Sequence, residues 1–442
     1  MTFIAYFLTR ADMLIYFSIF IALFIYWING IRKSTAKMPP GPIPLPVIGN
    51  LNLVDLKRPH ESLMQLSEKY GEIFTLHFGP KKMVILAGYK IIKEALVTRA
   101  EDFGERAITP IFEILANGHG IILSNGETWK CMRRFTISTL REFGMGKKSV
   151  ESTIQDELMP LIDSIKSHNG KPFLTHLLID SAFSNVICSI IFGKRFEYDD
   201  PMFEKLIKML DENTKLVGSP KVMESTKAET HFNEENLLTC VLDLFSAGTE
   251  TTSVTIRWGI LLMMKYPEIQ TRVQEEIKIH IEPGQLLTAE DRRKMPYTDA
   301  VIHEIQRFCN IIPLNVSHST PTDVYLRGYL IPKGTEVVPF LTSVLYDKTQ
   351  WKTPYDFNPN HFLDENGKFV RNDAFMPFSV GRRACVGEAL AKMELFLFFT
   401  GLLQAFTFYP PPGVSTEDLN LKPGVGFTLV PTPYMTCAKP NY

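Results

Sequence analysis

Residues 378–387 read Phe-Ser-Val-Gly-Arg-Arg-Ala-Cys-Val-Gly, and a chain carrying this stretch has to present one sulfur from a tight loop. Gly381 and Gly387 permit backbone conformations that a side chain would forbid, so the chain curls closely around whatever Cys385 touches. Phe378 offers that curl an apolar wall. Arg382 and Arg383 place positive charge next to Cys385 in sequence, which favours thiolate over thiol, and thiolate is the form that binds metal. The run that follows, Glu388 to Phe399, is strongly helix-forming, and the dipole at its N-terminus would also favour a negative sulfur. A single cysteine is more often a small buried hydrophobe than a ligand, and Cys385 taken alone reads that way. Zinc is disfavoured because no second cysteine lies within C-x2-4-C reach and structural zinc wants four closed ligands.

The rest of the chain bounds the fold. With 442 residues, 45% hydrophobic and 21% charged, it can bury a large core, and its net charge of -1 makes no case for nucleic acid as a partner. The six cysteines (131, 188, 240, 309, 385, 437) show no pairing pattern, which argues against a disulfide framework and for a reducing compartment. Length alone suggests about three domains, but one large domain is expected over 51–442, preceded by an anchor with a basic stop (1–37) and a proline-rich hinge (38–50). Met13 to Ile28 is uncharged and extendable through Asn29, Gly30 and Ile31 toward the roughly 20 residues of a membrane span. Tyr26 and Trp27 resemble an interfacial belt, and no small-x-small cleavage site precedes the basic residues. Arg32, Lys33 and Lys37 follow the span against only Arg10 before it, which leaves the body cytoplasmic and the Asn315-Val-Ser sequon unglycosylated. Five prolines between Met38 and Asn50 favour a stiff extended segment.

Several other stretches carry information. Glu72 to Ala87 reads as a hairpin about Gly79-Pro80-Lys81-Lys82, and Asp323 to Val338 as strands and turns. Trp129 and Arg133 stand one turn apart on a helical stretch, with Lys130, Arg134, Arg141, Lys147 and Lys148 as a basic cluster around them. Glu234 to Tyr266 has the pattern of a helix about 45 Å long. At its middle lies Ala247-Gly-Thr-Glu-Thr-Thr252, rich in residues that weaken a helix. Ala247 and Thr251 share a face there, with Gly248 beside them, so a flat ligand could approach the backbone while a hydroxyl points at it. A kinked structural helix is the plainer reading. Glu304 and Arg307 form an i,i+3 pair of the kind that is mostly exposed and weak.

Phe-x-x-Gly-x-Arg-x-Cys-x-Gly is the signature loop of the cytochrome P-450 (haem-thiolate monooxygenase) family, and Phe378, Gly381, Arg383, Cys385 and Gly387 fill its fixed positions. One thiolate without local partners suits haem. The resemblance runs from anchor to C-terminus, and is nearest to the vertebrate microsomal family-two enzymes of drug and lipid oxidation. It implies a mainly α fold with small β-sheets. It further implies that haem b lies between the long central helix and the cysteine loop, with Cys385 as axial ligand of the iron. By the same resemblance Trp129 and Arg133 contact the haem propionates, joined by Arg106 and His318. Ala-Gly-x-Glu-Thr is the family's oxygen-handling motif, with Thr251 and Glu250 moving protons and Gly248 against the haem. Glu304, Arg307 and His361, the last from Phe357-Asn-Pro-Asn-His-Phe362, form its buried structural network. His119, Ala247, Val316 and Phe427 align with substrate-pocket walls. The expected partners are O2, NADPH-cytochrome P-450 reductase docking on the basic cluster, cytochrome b5, the endoplasmic reticulum bilayer and a lipophilic substrate (a xenobiotic, fatty acid or steroid).

The sequence departs from the family at one place. Pro220 runs directly into Lys221, whereas the family pattern has several tens of residues there, which carry the rest of the F helix and the G and H helices that roof the pocket. Two further readings follow. One is an inactive or unstable splice-type product, a membrane-anchored haem-binding protein without turnover. The other is an isomerase that needs no reductase, against which the intact Ala-Gly-x-Glu-Thr argues.

Overall fold

Helix-forming, amphipathic stretches bounded by proline and glycine dictate most of this architecture. A computed structural model of the chain describes residues 13, 15–19, 21, 22, 37–108, 113, 116–144, 148–217, 233–282 and 284–441. The principal helices, in order, are α1 (Pro59–Tyr70), α2 (Gly126–Glu142), α3 (Lys148–Ser167), α4 (His176–Phe192), α5 (Pro201–Val217), α6 (Glu234–Lys265), α7 (Pro267–His280), α8 (Pro296–Cys309) and α9 (Glu388–Ala405). Proline opens α1, α7 and α8 in the first turn, where its missing N–H is no loss.

The long central helix α6 spans 32 residues and starts on an N-cap, with the Asn233 side chain accepting from the Asn236 N–H. Glu234 and Glu235 in its first turn suit the positive end of the dipole, and Lys265 in its last turn the negative end. Its C-terminal half is buried almost all round, and it packs with α3, α4, α7, α8 and α9 into one apolar core that includes Phe183, Phe245, Trp258 and Phe398. Helix α9 is apolar on every side from Leu395 to Leu403 and fully enclosed there, as expected of a helix with no solvent face.

The sheets are small. Strands β1 (Ile73–Phe78) and β2 (Lys81–Ala87) form the expected hairpin, with Phe78 opposite Lys81 across Gly79 and Pro80. The other strands are β3 (Glu105–Arg106), β4 (Phe173–Leu174), β5 (His318–Ser319), β6 (Val324–Leu326), β7 (Tyr329–Ile331), β8 (Glu336–Phe340), β9 (Phe406–Tyr409) and β10 (Met435–Pro440). They order as β1-β2-β8-β5-β3, β4-β10-β9 and β6-β7. A second apolar core, with Phe103, Leu341, Trp351 and Phe362, fills the space beneath the five-stranded sheet.

The proline-rich segment differs from the expected stiff hinge. It is fastened to β1, Thr75 donating through its N–H to Pro40 O (2.7 Å) and through its hydroxyl to Pro39 O (2.9 Å). It then doubles back where Leu45 and Gly49 exchange backbone bonds of 2.7 and 2.9 Å. Main-chain bonding to a sheet edge outweighs the intrinsic stiffness of proline-rich chain. Half of the expected span Met13–Ile28 lies outside the described residues, as do Arg32, Lys33, Lys147 and the Pro220–Lys221 junction. Among the described residues no helix is long and apolar enough to cross a membrane.

Candidate functional site

The cysteine loop is built by glycine and by long-range contacts. Gly381 has φ +78°, and a Cβ there would stand 1.8 Å from the Leu96 carbonyl oxygen, so no side chain fits. The Cys385 N–H donates to Phe378 O at 3.0 Å, closing the curl, and Arg133 reaches across from α2 to donate to Ala384 O at 2.6 Å. Val386 packs against a small cluster formed by Ile121, Met132 of α2 and Cys240 of α6, which Leu244 of α6 also joins. Leu244 lies one turn before Ala247, so the loop, α2 and the middle of α6 meet around one volume.

Cys385 keeps an exposed edge, yet enough protein surrounds it that burial pushes its thiol up from the ordinary value, as for a sulfur on the floor of a cleft. The N–H groups of Gly387 and Glu388 and the Arg133 charge oppose that rise without cancelling it. This corrects the expectation that Arg382 and Arg383 would favour the thiolate. Arg382 pairs instead with Glu101, and Arg383 lies over the Trp129 ring with its guanidinium carbon 3.9 Å from the centroid. The cation that favours the thiolate is Arg133.

Arg106, Trp129, Arg133, His318 and Arg383 are brought together. Arg106 faces His318 across the β3–β5 pair. Asn125, which the sequence did not single out, organises the group: its Oδ1 accepts from the Arg106 N–H (2.6 Å) and from Arg383 Nη2 (3.0 Å), while its Nδ2 donates to Arg106 O (3.0 Å). The guanidiniums otherwise donate to neutral carbonyls: Arg106 to Ile122 O and Val316 O, Arg383 to Gly104 O. Burial first, and repulsion second, from Arg133 on Arg106 and from Arg106 and Arg133 on Arg383, lower Arg106 to about 9 and Arg383 to about 8. Burial also holds His318 well below the ordinary imidazole range, helped by Arg106 and Arg383.

On α6, Thr251 Oγ1 donates to Ala247 O at 2.6 Å. Ala247 is exposed, and Thr251 and Glu250 are half-buried. Gly248 departs from its expected role. A Cβ there would meet the Ile187 side chain at 2.6 Å, so its bare face is turned to α4 and lets two helices close on each other. Thr252, next to it, donates to Gly248 O at 2.6 Å.

Of the expected pocket walls, Val316 and Phe427 are half-buried. His119 is buried, with Nε2 3.3 Å from the Glu235 carboxylate. The loop after it is strapped to α6. Asp243 Oδ2 accepts from the N–H groups of Ile121 (2.7 Å) and Ile122 (3.0 Å), and Asn236 Oδ1 accepts from Gly120 (2.7 Å). No sequence pattern pointed to Asp243.

Glu304, Arg307 and His361 form a closed network. Arg307 is fully buried and bidentate on Glu304 at 2.7 Å each, with further bonds to Leu345 O, Pro354 O and Asp356 O. His361 Nδ1 lies 3.2 Å from both Glu304 oxygens. On the outer face of α2, a groove of about 720 Å³ is lined by Trp129, Lys130, Arg133, Arg134, Arg141 and Arg382 among others.

The fold and this arrangement together define a helical protein with a thiol facing a cationic, donor-rich cleft. The "Cytochrome P450" family model matches residues 39–225 and 220–438. The chain is 48% identical to Cytochrome P450 2K4 of Oncorhynchus mykiss over 92% of each chain, and 47% identical to Cytochrome P450 2K6 of Danio rerio over 89% of this chain and 90% of that one. It is 44% identical to Cytochrome P450 2J2 of Homo sapiens over 93% of each. The chain belongs to the cytochrome P450 family of haem monooxygenases, and within it to the family-two type. The alignment to 2K4 runs over 466 positions, more than the 442 residues of this chain, so it includes positions where the relative has residues and this chain has none.

The residues present fit haem. Trp129 Nε1 and Arg383 Nη1 are buried and have no partner among the described residues. His318 Nε2 is likewise unpartnered, and a carboxylate beside it would raise the ring's basicity and make it a donor. Three guanidiniums bonded only to neutral groups complete a site that calls for buried anions, which the two carboxylates of haem supply.

Proposed function

We propose that this chain is a haem-dependent monooxygenase of lipophilic small molecules, with Cys385 as the residue that would hold the haem iron and electrons from NADPH delivered by a reductase. The observation that carries the assignment is the donor array of Trp129, Arg383 and His318, unpartnered among the described residues and gathered with Arg106 and with Arg133, whose charge acts on the exposed Cys385. When bound, haem activates O2 so that one oxygen atom enters a C–H bond and the other leaves as water; that chemistry is the cofactor's. Cys385 supplies the thiolate, and Arg133 and the Gly387 and Glu388 N–H groups hold its charge. The Arg106, Arg133 and Arg383 guanidiniums would hold the haem carboxylates by charge-assisted donation. Thr251 Oγ1 donates to a main-chain carbonyl within its own helix, so a small rotation frees it to pass a proton toward the cleft, with Glu250 as the relay to solvent. Ala247, Val316, Phe427 and His119 wall the substrate side. The basic groove on α2 is the docking face for the acidic reductase or cytochrome b5, and Met1–Lys37 anchors the protein to the endoplasmic reticulum with its body in the cytoplasm.

A second reading has its own support. The family model matches in two pieces that meet at 220–225. On the N-terminal half of α6, Leu237, Leu238 and Leu242 are 59, 60 and 48% exposed. Both observations fit a chain lacking the helices that cover this face, and hence one that holds haem poorly and turns over little. The carbon monoxide difference spectrum of the reduced, expressed protein tests thiolate ligation directly. The parent is expected to show the thiolate-haem band and Cys385→Ala to lose it; an unchanged band in the variant would remove Cys385 as ligand.

A further inference from the structure

The sequon asparagine, Asn315, does something other than accept a glycan. It is 8% exposed and has φ +56°. Its Nδ2, the atom a sugar would modify, donates to Ser379 Oγ at 2.9 Å. Its Oδ1 accepts from the Val316 N–H at 2.8 Å, and the carbonyl of that same Val316 accepts from Arg106 Nη1 at 2.7 Å. Ser379 is itself in the left-handed region, φ +58°, and follows Phe378, whose carbonyl receives the Cys385 N–H.

We propose that Asn315 is a positioning residue that ties the cysteine loop to the Arg106 guanidinium, so that the sulfur and a carboxylate-binding arginine are held at one fixed separation. One short amide spans both links. Its Ser379 bond fixes the start of the loop that ends at Cys385, and its Val316 bond holds the residue whose own carbonyl, in the next peptide unit, receives Arg106. A porphyrin is rigid, so the distance between its metal and its carboxylates cannot adapt to a loose frame; the frame has to be set by the protein. The inference rests on the haem-thiolate reading, but its test does not require haem to be bound.

A plainer account is that asparagine stands here only because it tolerates a left-handed backbone. Asn315→Gly separates the two, since glycine keeps that backbone at no steric cost and deletes the amide. Ser379→Ala deletes the loop bond alone and leaves the Val316 bond in place. Amide hydrogen exchange of the full-length chain, resolved by peptide, is the measurement. Asn315→Gly is expected to speed exchange roughly tenfold over 376–387 and over 105–107, the size expected for one lost buried hydrogen bond. Ser379→Ala should speed exchange over 376–387 and leave 105–107 unchanged. Protection over 376–387 equal to the parent in Asn315→Gly would overturn the proposal. Should that variant not fold, as judged by circular dichroism, unchanged protection in Ser379→Ala overturns it equally. Adding haem to the same samples reads the parent assignment separately: a chain that takes up none fails the haem reading, while the exchange data still decide the role of Asn315.

Discussion

Cys385 sits where burial opposes its charge, and only the Gly387 and Glu388 N–H groups and the Arg133 guanidinium favour the thiolate. A thiol so placed is a poor nucleophile by itself, and a metal bound to it would be what makes it a thiolate. Thr251 is a different case, because its hydroxyl is satisfied within α6 by Ala247 O. Thr251→Ala removes that bond but improves helix propensity by a few tenths of a kcal/mol, so haem content and thermal stability should stay close to the parent. In a version of the chain that turns over, product per NADPH is expected to fall roughly hundredfold while peroxide rises, the scale of a lost proton-transfer group. Full coupling in the variant would take Thr251 out of the relay. The placement of Thr251 one turn after Ala247 on a long helix was legible because Ala-Gly-x-Glu-Thr is local. That Gly248 faces Ile187 on α4 was not, since the partner lies 61 residues away in the chain.

Among the elements, α6 does more than line the cleft: through Asp243 and Asn236 it fastens the loop 120–122 that runs toward α2. Burial lifts the Asp243 carboxyl from 3.8 to about 6, against the pull of the Ile122 and Ile121 N–H groups. The folded state therefore binds more protons than the unfolded chain between those values, so this group's contribution to stability falls as pH rises through that window and stays low above it. The full difference is on the order of 3 kcal/mol. Asp243→Asn keeps an acceptor for both N–H groups and carries no charge. Relative to the parent, its thermal midpoint should therefore improve between pH 4 and 6 and hold constant above. A variant-to-parent difference that ignores pH in that range would show that Asp243 is not shifted. The bounds of α6 and of the β1–β2 hairpin were readable, because caps, prolines and periodicity are short-range. The proline-rich segment was misread as a stiff hinge because its conformation is decided by main-chain bonds to Thr75 of β1.

At the scale of the whole molecule, the exposed leucines of α6 and the split family match both fit the proposed lack of covering helices. Stripping one large apolar side chain from a packed face costs roughly 2 to 5 kcal/mol against a total stability of only about 5 to 15, so a few such vacancies suffice to unsettle the site. Restoring the family's segment between Pro220 and Lys221 is accordingly expected to raise haem per protein and NADPH-dependent product several-fold over the chain as it stands; equal values would show the junction to be tolerated. The sequence alone determined the chemistry: one thiol in a glycine-shaped loop, an arginine and a tryptophan one turn apart, a hydroxyl in the middle of a long helix. Each of these is specified by spacing within a single turn or loop, where backbone geometry depends on near neighbours. Tertiary structure decided which arginine faces the sulfur, that Arg383 lies on Trp129, and that Asn125, Asp243 and Asn315 hold the frame. The long-range members of those pairings join residues 64 and 258 positions apart, Asn315 with Ser379 and Asn125 with Arg383. Packing of whole elements creates them, and no local pattern encodes them.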